Sequence, residues 1–268
     1  TCALPILGLN RRQMLEYQEQ VLMDCREERS SIVTGQMNLF GGESEAVRET
    51  PIPSLPELER SALLQLEHES LGLYLSGHPL EQAQWLRQLC RATPAAALSE
   101  QPDGGKVLLI VTLQHVKQHT TKKGETMCFL TCEDQSGSAD CVVFPALYNS
   151  VKPYLQQDAV LYLRGKISQK ENAVSVLCDS VLQEEAFFRT LSQGRLCVKI
   201  DSRQTAELQQ LLAVIGQHAG NVPVCFYLTD RKKMLSPRGG QAVAVNSESY
   251  AALCAVVSPE QVGFLPPA

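Results

Sequence analysis

Aromatic and basic side chains occur together in residues 106–170, on stretches whose residue types alternate with the period of a β-strand. The stretches 126–133 and 138–144 flank a polar turn at 134–137, which is typical of a hairpin. One face of this hairpin carries small apolar residues that suit the interior of a barrel: Cys128, Leu130, Cys132, Ala139, Cys141 and Val143. The other face carries Met127, Phe129, Thr131, Asp140, Val142 and Phe144.

Phe129 and Phe144 have the chemistry to bind single-stranded nucleic acid, because bases stack on exposed aromatic rings. Lysines on or beside the neighbouring strands would meet the phosphates. We therefore predict a binding face that consists of Lys117, Lys122, Lys123, Phe129, Thr131, Phe144 and Lys166. The alternative is that both rings pack against adjoining helices and the lysines are only solvated. The carboxylate of Asp140 on the same face favours this alternative.

A short apolar segment interrupts an otherwise polar stretch that is rich in Gly, Pro, Ser and Glu. It consists of Gln36, Met37, Asn38, Leu39 and Phe40. Leu39 and Phe40 could fill an apolar pocket of a partner while the Gln36 amide hydrogen-bonds at its rim. The cost of ordering such a segment limits its affinity, and tethering to a larger assembly restores it. The alternative is a local contact with a nearby helix.

No arrangement of residues points to a catalytic centre, a metal site or a cofactor. The sequence has no D-x-D pair for two-metal chemistry, no phosphate-binding glycine loop and no H-E-x-x-H. His78 precedes Pro79 and is expected to be a structural cap or turn residue. Cys128 and Cys132 are separated by roughly 13 Å on one extended strand, at about 3.3 Å per residue. One zinc ion cannot bind both sulfurs, so we expect these cysteines in the core.

The elements that must position these residues predict a multidomain α+β fold. Helices are expected near 10–30, capped by Asn10 and Gln13, and near 58–70, capped by Ser54 and Glu57. Strands are then expected at 107–116, 126–133, 138–144, 158–168 and 173–182, with a helix or turn at 145–156 between the third and fourth strands. Five strands with a helix at that position indicate an OB-fold, a small Greek-key barrel.

The last section reads as a small α+β domain. Its predicted strands are 195–200, 222–229 and 241–245, its helices are 204–218 and 248–257, and a basic turn lies at 231–233. We divide the chain into a helical region (1–34), a linker (35–56), a helical connector (57–102), the OB-fold domain (103–183) and the C-terminal α+β domain (184–268).

The net charge of −5 is unevenly distributed. Residues 1–100 contain no lysine, eight arginines and 14 acidic residues, whereas residues 101–183 contain eight of each sign. A neutral barrel with a local basic edge is compatible with weak contacts to DNA. Ten scattered cysteines without a C-x-x-C motif indicate free thiols in the cytoplasm. The sequence predicts no membrane-spanning segment, and its start within an apolar phrase suggests a piece of a longer protein.

Several phrases resemble the bacterial DNA polymerase III alpha subunits. They are Leu71-Gly72-Leu73-Tyr74-Leu75-Ser76-Gly77-His78-Pro79-Leu80, Thr121-Lys122-Lys123-Gly124, Phe129-Leu130-Thr131 and Val143-Phe144-Pro145. Leu7-Gly8-Leu9-Asn10-Arg11 resembles the end of that family's helix-hairpin-helix region. The resemblance covers essentially the whole chain and places it in the C-terminal part of such a subunit.

This resemblance implies expectations about the partners and the activity of the chain. The OB-fold domain contacts single-stranded template DNA, and residues 36–40 bind the sliding clamp (beta). The C-terminal domain binds the clamp-loader subunit tau, and other replicase subunits are further partners. The catalytic palm and PHP domains of the family lie upstream, so the chain is expected not to polymerise DNA alone. The alternatives are a stand-alone OB-fold module for single-stranded nucleic acid, or an interaction scaffold that binds no DNA.

Overall fold

The computed structural model describes residues 10–33, 54–71, 74, 76–170, 173–237 and 239–266. The chain divides into two compact units, Thr1–Gly77 and His78–Ala268. The first unit is helical. The second contains a closed five-stranded barrel and a small α+β domain, so the predicted fold class is confirmed. In the described part of the chain, no helix has the length and apolar character needed to cross a membrane.

The first unit contains the helices α1 (Arg11–Val33) and α2 (Arg60–Leu71). The predicted cap of α1 is confirmed, since the Asn10 N–H donates to Gln13 Oε1 and the Gln13 N–H donates to Asn10 Oδ1, both at 2.9 Å. The predicted capping box of Ser54 and Glu57 is wrong. The Glu57 carboxylate instead accepts from the backbone N–H groups of Arg11 and Arg12, at 3.2 and 3.3 Å. Glu57 therefore stabilises the start of α1, where a negative charge is favourable.

The second unit begins with a short helical turn, Pro79–Glu81, which leads to α3 (Gln84–Leu89). The Nδ1 atom of His78 accepts the Leu80 N–H at 3.1 Å, so His78 caps this turn as predicted. Desolvation lowers the pKa of His78 below its usual value, and the imidazole therefore stays neutral at pH 7. A neutral imidazole can accept this hydrogen bond, whereas a doubly protonated one cannot.

The barrel consists of β1 (Lys106–Thr120), β2 (Thr126–Asp134), β3 (Gly137–Val143), β4 (Val160–Lys170) and β5 (Ala173–Leu182), with α4 (Pro145–Val151) between β3 and β4. The strands close in the order β1-β2-β3-β5-β4, and the β3–β5 pair is parallel. The strand β1 continues four residues beyond the predicted end at Val116. Its N-terminal half pairs with β4 and its C-terminal half with β2, which is how one long strand closes the barrel.

The barrel interior is filled by the alternating apolar residues of all five strands. The hairpin contributes the six residues that its pattern predicted, and each is nearly or completely buried: Cys128, Leu130, Cys132, Ala139, Cys141 and Val143. Burial raises the pKa of the Cys128 thiol to about 11, so it is protonated and unreactive at neutral pH. The described cysteines are free thiols. Within the described residues, no three His, Cys, Asp or Glu side chains are arranged to hold a metal ion.

The C-terminal domain contains α5 (Glu184–Leu191), β6 (Arg195–Ile200), α6 (Thr205–Gln217), β7 (Ala219–Leu228), β8 (Lys233–Leu235), β9 (Ala242–Val243), α7 (Ser247–Cys254) and β10 (Val262–Leu265). The sheet has the order β10-β6-β7-β8, and β9 also pairs with β7. The sequence prediction missed β8 and β10, and its basic turn at 231–233 overlaps β8 only at Lys233. Both are short edge strands: β10 pairs with β6, which is distant in sequence, whereas β8 pairs with the preceding strand β7.

The barrel and the C-terminal domain share a hydrophobic core. Ile110 and Tyr162 on the outer surface of β1 and β4 are buried beneath this domain. The Tyr162 ring stacks on Phe187 of α5, with 4.4 Å between ring centroids and 15° between planes. Aromatic pairs of this kind contribute roughly 0.5–1.5 kcal/mol beyond the area they bury. This side of the barrel is therefore covered, and the aromatic side chains of β2 and β3 lie on another side.

Candidate nucleic-acid interface

Two phenylalanines lie uncovered on the outer surface of the barrel. Phe129 in β2 is 43% exposed, and Phe144, directly after β3, is 46% exposed. Side chains alternate between the two sides of a β-strand, so both rings point outward while their neighbours Cys128, Leu130 and Val143 point into the barrel. No helix within the described residues covers either ring, in contrast to the packing alternative considered above. Solvent-exposed aromatic rings on a barrel surface can serve as stacking platforms for bases.

The strand register surrounds Phe129 with basic and aromatic neighbours. Lys117 of β1 pairs directly with Phe129 on one side, and Val142 of β3 pairs with it on the other. Directly paired residues share a face of the sheet, so the Lys117 side chain lies beside the ring. The His119 imidazole meets the Phe129 ring edge-on, with 6.2 Å between centroids and 60° between planes. His119 was not predicted, because the sequence interpretation ended β1 at Val116.

The polar side chains of this surface are concentrated one residue pair further along the strands. Thr131 pairs with His115 on β1 and with Asp140 on β3. The Thr131 hydroxyl donates to Asp140 Oδ1 at 3.4 Å. The carboxylate of Asp140 would repel a phosphate there. The part of the surface suited to an anionic strand is therefore the half that contains Lys117, Phe129 and the β1–β2 loop.

The β1–β2 loop presents two exposed lysines, Lys122 and Lys123. It is a compact turn, in which the Thr121 N–H donates to the Glu125 carbonyl at 2.8 Å and the Gly124 N–H donates to the Thr121 carbonyl at 2.9 Å. Gly124 has a φ of 79°, a left-handed conformation that glycine adopts without strain. Within the described residues, neither lysine forms an ion pair. Both ammonium groups are therefore available to a phosphate.

Lys166 lies apart from the other predicted binding residues. It pairs with Leu177 of β5 and with Lys106 of β1. The barrel is closed, so β4 also neighbours β1, where Lys106 lies 11 residues before Lys117, the partner of Phe129. At about 3.3 Å per residue, this is roughly 36 Å along the strand. The structure therefore brings together Lys117, Phe129 and Thr131, with Phe144 and the loop lysines beside them, but it does not bring Lys166 into this group.

The remaining predicted site lies outside the described residues. Gln36, Met37, Asn38, Leu39 and Phe40 belong to the stretch 34–53, and the interpretation of this segment as a docking peptide stays a prediction. Parts of the phrases at 7–11 and 71–80 also lie outside the described residues.

Comparisons with known proteins match the barrel and most of the chain. A family described as an OB-fold nucleic acid binding domain matches residues 107–183. The chain is 25% identical over 266 residues to the DNA polymerase III subunit alpha of Saccharopolyspora erythraea, with 92% of this chain and 22% of that protein covered. It is 29% identical over 227 residues to the same subunit of Thermus aquaticus, with 83% and 18% covered.

The chain therefore spans about a fifth of the length of these curated relatives. The resemblance to DNA polymerase III alpha subunits is confirmed. Among solved structures, the chain is similar to the second OB-fold domain of replication protein A from Methanococcus maripaludis, at 15% identity over 32% of this chain and 91% of that one. The TM-score is 0.26, which is too low to support a conclusion.

Proposed function

We propose that this chain is the non-catalytic, template-guiding part of a DNA polymerase III alpha subunit that works in the bacterial cytoplasm. The observation that carries the proposal is the exposed pair Phe129 and Phe144 beside Lys117, on an OB-fold barrel. We define these three residues, His119, Lys122 and Lys123 as the aromatic face.

The charges of the described residues support a particular path for the DNA. The loop lysines lie at one end of the hairpin, and Asp140 lies at the other side of Phe129. Three residues separate Phe129 from Thr126 at the loop, which corresponds to roughly 10 Å along an extended strand. We propose that phosphates contact the loop lysines and Lys117 while bases stack on Phe129 and Phe144. Asp140 would then lie beyond the end of the bound DNA segment, because its carboxylate repels the phosphates.

The affinity of this face for DNA should be weak. Residues 101–183 have equal numbers of basic and acidic residues, so the barrel provides no long-range attraction. Two stacked bases and a few phosphate contacts would guide a strand that other parts of a replicase hold more tightly. This expectation agrees with a role in guidance, whereas a stand-alone single-strand-binding module would need a broader basic surface.

Fluorescence anisotropy with a labelled oligo-dT at low salt tests the proposal on the 268-residue chain. Phe129→Ala is expected to weaken binding by about 1–3 kcal/mol, the usual contribution of one base stacked on an aromatic ring. The matched control is Tyr154→Ala, since Tyr154 is a similarly exposed aromatic residue at 38% but lies outside the aromatic face. The absence of oligo-dT binding at high micromolar protein would exclude the template role. Equal affinity of the Phe129→Ala and wild-type proteins, with folding intact, would exclude stacking at Phe129.

We further propose that residues 36–40 dock on the sliding clamp. The proposal rests on the residue types Gln36, Leu39 and Phe40 and on their place in the resemblance. Leu39→Ala combined with Phe40→Ala is expected to abolish retention of the chain by immobilised clamp, because both apolar anchors are lost. Leu22→Ala combined with Met23→Ala is the control, since these are exposed apolar neighbours in α1. Undiminished retention of the first variant would contradict the proposal.

The third proposed contact joins the C-terminal domain to the clamp-loader subunit tau, with other replicase subunits nearby. It is supported by the edge strand β8, whose Met234 and Leu235 side chains are exposed. An uncovered apolar edge strand is a typical docking place for another protein. Met234→Asp combined with Leu235→Asp should weaken tau binding in a surface-plasmon-resonance assay, whereas Lys152→Asp, outside this domain, should not. Equal binding by both variants would place the tau contact elsewhere.

A further inference from the structure

A second basic surface lies at the seam between the barrel and β10, away from the aromatic face. A cavity of about 470 Å³ opens there between β1, β4 and β5 of the barrel and the end of the chain. Three cationic side chains line it: Arg91, Lys106 and Arg164. They come from three different segments of the chain. The proposed function does not use this cavity.

The register of β1 and β4 explains why the charges accumulate at this place. Moving along the outer surface, the buried pair Ile110–Tyr162 is followed by Leu108–Arg164 and then by Lys106–Lys166. The C-terminal domain covers the first pair and leaves the last one exposed. Two lysines thus stand directly opposite each other beside Arg164. Like charges in direct register destabilise a sheet unless an anion lies between them.

The two guanidinium groups are held in place by their surroundings. The Arg164 group lies over the Phe187 ring, 5.7 Å from its centroid. Arg91 adopts a left-handed backbone conformation, with a φ of 52°, directly after the C-cap residue of α3. Its Nη2 atom donates to the Glu260 carbonyl at 3.3 Å, and its side chain passes over Gly263. Arginines positioned in this way lose little side-chain entropy when they bind an anion.

The described residues that line the cavity carry too little negative charge to balance its cations. Asp179 is the acidic residue among them, and it lies at a β-bulge where β5 has one extra residue opposite Arg164 and Gly165. In the described part of the chain, none of Arg91, Lys106 and Arg164 forms an ion pair with a carboxylate. Apolar side chains, including Leu108 and Phe264, form the rest of the wall. Low-dielectric walls strengthen the attraction of the cations for an anion.

We infer that this cavity is a phosphate-binding site, in which Arg91, Lys106 and Arg164 contact the oxygens of one phosphate group. Guanidinium groups match phosphate oxygens with two parallel hydrogen bonds, and the Lys106 ammonium adds a point charge. The phosphate can belong to a nucleic-acid strand that continues around the barrel, or to a small phosphate compound. The chemistry of recognition is the same for both sources.

The test is an NMR titration of the ¹⁵N-labelled 268-residue chain with pyrophosphate, at constant ionic strength maintained with NaCl. Saturable shifts are expected at the amides of Arg91, Lys106 and Arg164. Lys106→Gln combined with Arg164→Gln should weaken binding roughly tenfold or more, since each charge-assisted hydrogen bond contributes substantially. Lys152→Gln, the loss of one positive charge at an exposed site outside the cavity, should leave it unchanged. If the double variant does not fold, the exposed single change Lys106→Gln replaces it.

Absence of saturable shifts, or equal binding by the wild-type and cavity variants, would overturn the inference. The salt dependence of oligo-dT binding then identifies the source of the phosphate. If the phosphate belongs to a DNA strand, the plot of log K against log salt becomes less steep in the cavity variant, by about 0.7 per lost contact. If the site binds a free phosphate compound, the cavity variant keeps the wild-type slope for oligo-dT but loses pyrophosphate binding. A chain that binds pyrophosphate but no oligo-dT would retain this site and exclude the template role.

Discussion

Replacing Asp134 is expected to destabilise the unit His78–Ala268 strongly, because this carboxylate joins the β2–β3 turn to the helical connector. Its side chain is 1% exposed and forms an ion pair with Arg87 of α3, which is 14% exposed. Asp134 also accepts from the backbone N–H groups of Ala95 at 3.1 Å, Ser136 at 2.7 Å and Gly137 at 3.2 Å. One side chain therefore satisfies donors from three separate segments.

The size of the effect follows from what each substitution leaves unpaired. Asp134→Ala leaves the Arg87 guanidinium buried without its partner, and removal of one member of a buried ion pair costs about 3–5 kcal/mol. Asp134→Asn keeps the shape and one accepting oxygen. Its expected cost is about 1.5–3 kcal/mol, the contribution of a hydrogen bond to a charged group. We therefore expect stability to decrease from wild type to Asp134→Asn and further to Asp134→Ala.

Urea unfolding followed by tryptophan fluorescence measures this effect. Trp85 is the single tryptophan of the sequence and lies in α3 beside Arg87, so its fluorescence reports on this unit alone. The control is Arg189→Met, which breaks an ion pair whose side chains are 75% and 82% exposed. Little or no change in the free energy of unfolding is expected for this control, because exposed ion pairs contribute almost nothing to stability. A loss below about 1 kcal/mol for Asp134→Ala, or a loss equal to that of the control, would refute this reasoning.

Three further predictions concern pH, packing and thiol reactivity. Burial alone would raise the pKa of Asp134, but its hydrogen bonds and the Arg87 charge outweigh burial and lower it. The stability advantage of wild type over Asp134→Asn should therefore be complete above about pH 4 and shrink as the pH falls further. Gly165→Ala would place a Cβ atom in steric overlap with the Leu177 carbonyl oxygen and should cost about 1–3 kcal/mol or more. Cys128, with its pKa raised to about 11, should react with iodoacetamide at pH 8 only in urea.

Each of these predictions has a direct check. Urea unfolding at several pH values tests the first, and a constant difference between pH 3 and pH 7 would contradict it. Gly216→Ala is the control for the second, because a Cβ atom there meets open space within α6 and should be neutral or slightly stabilising. Equal effects of the two alanines would show that the contact at Gly165 does not matter. Peptide mass spectrometry tests the third, and labelling of Cys128 in the native protein would disprove its burial.

The sequence predicted the features that depend on local geometry. The pleat of a β-strand has a period of two, so the pattern of the hairpin was sufficient to place Cys128 inside and Phe129 outside. The Asn10–Gln13 cap was also predicted, because its two residues are only three positions apart in the sequence. The order of strands and the helix between β3 and β4 predicted the OB-fold. These features require no knowledge of which distant segments meet.

Only the tertiary structure decided the contacts between distant segments. Glu57 caps a helix that begins 46 residues earlier, and Arg87 meets Asp134 across 47 residues of sequence.

The aromatic face and the basic cavity depend on such contacts as well. Polar residues at the end of β1 have no local preference for a strand, and it is pairing with β2 that places His119 beside Phe129. The antiparallel pairing of β4 with the N-terminal half of β1 places Lys166 beside Lys106, away from that face. The sequence therefore determined which side chains face outward. The strand order determined which of them are neighbours, because pairing across a closed barrel depends on the whole chain.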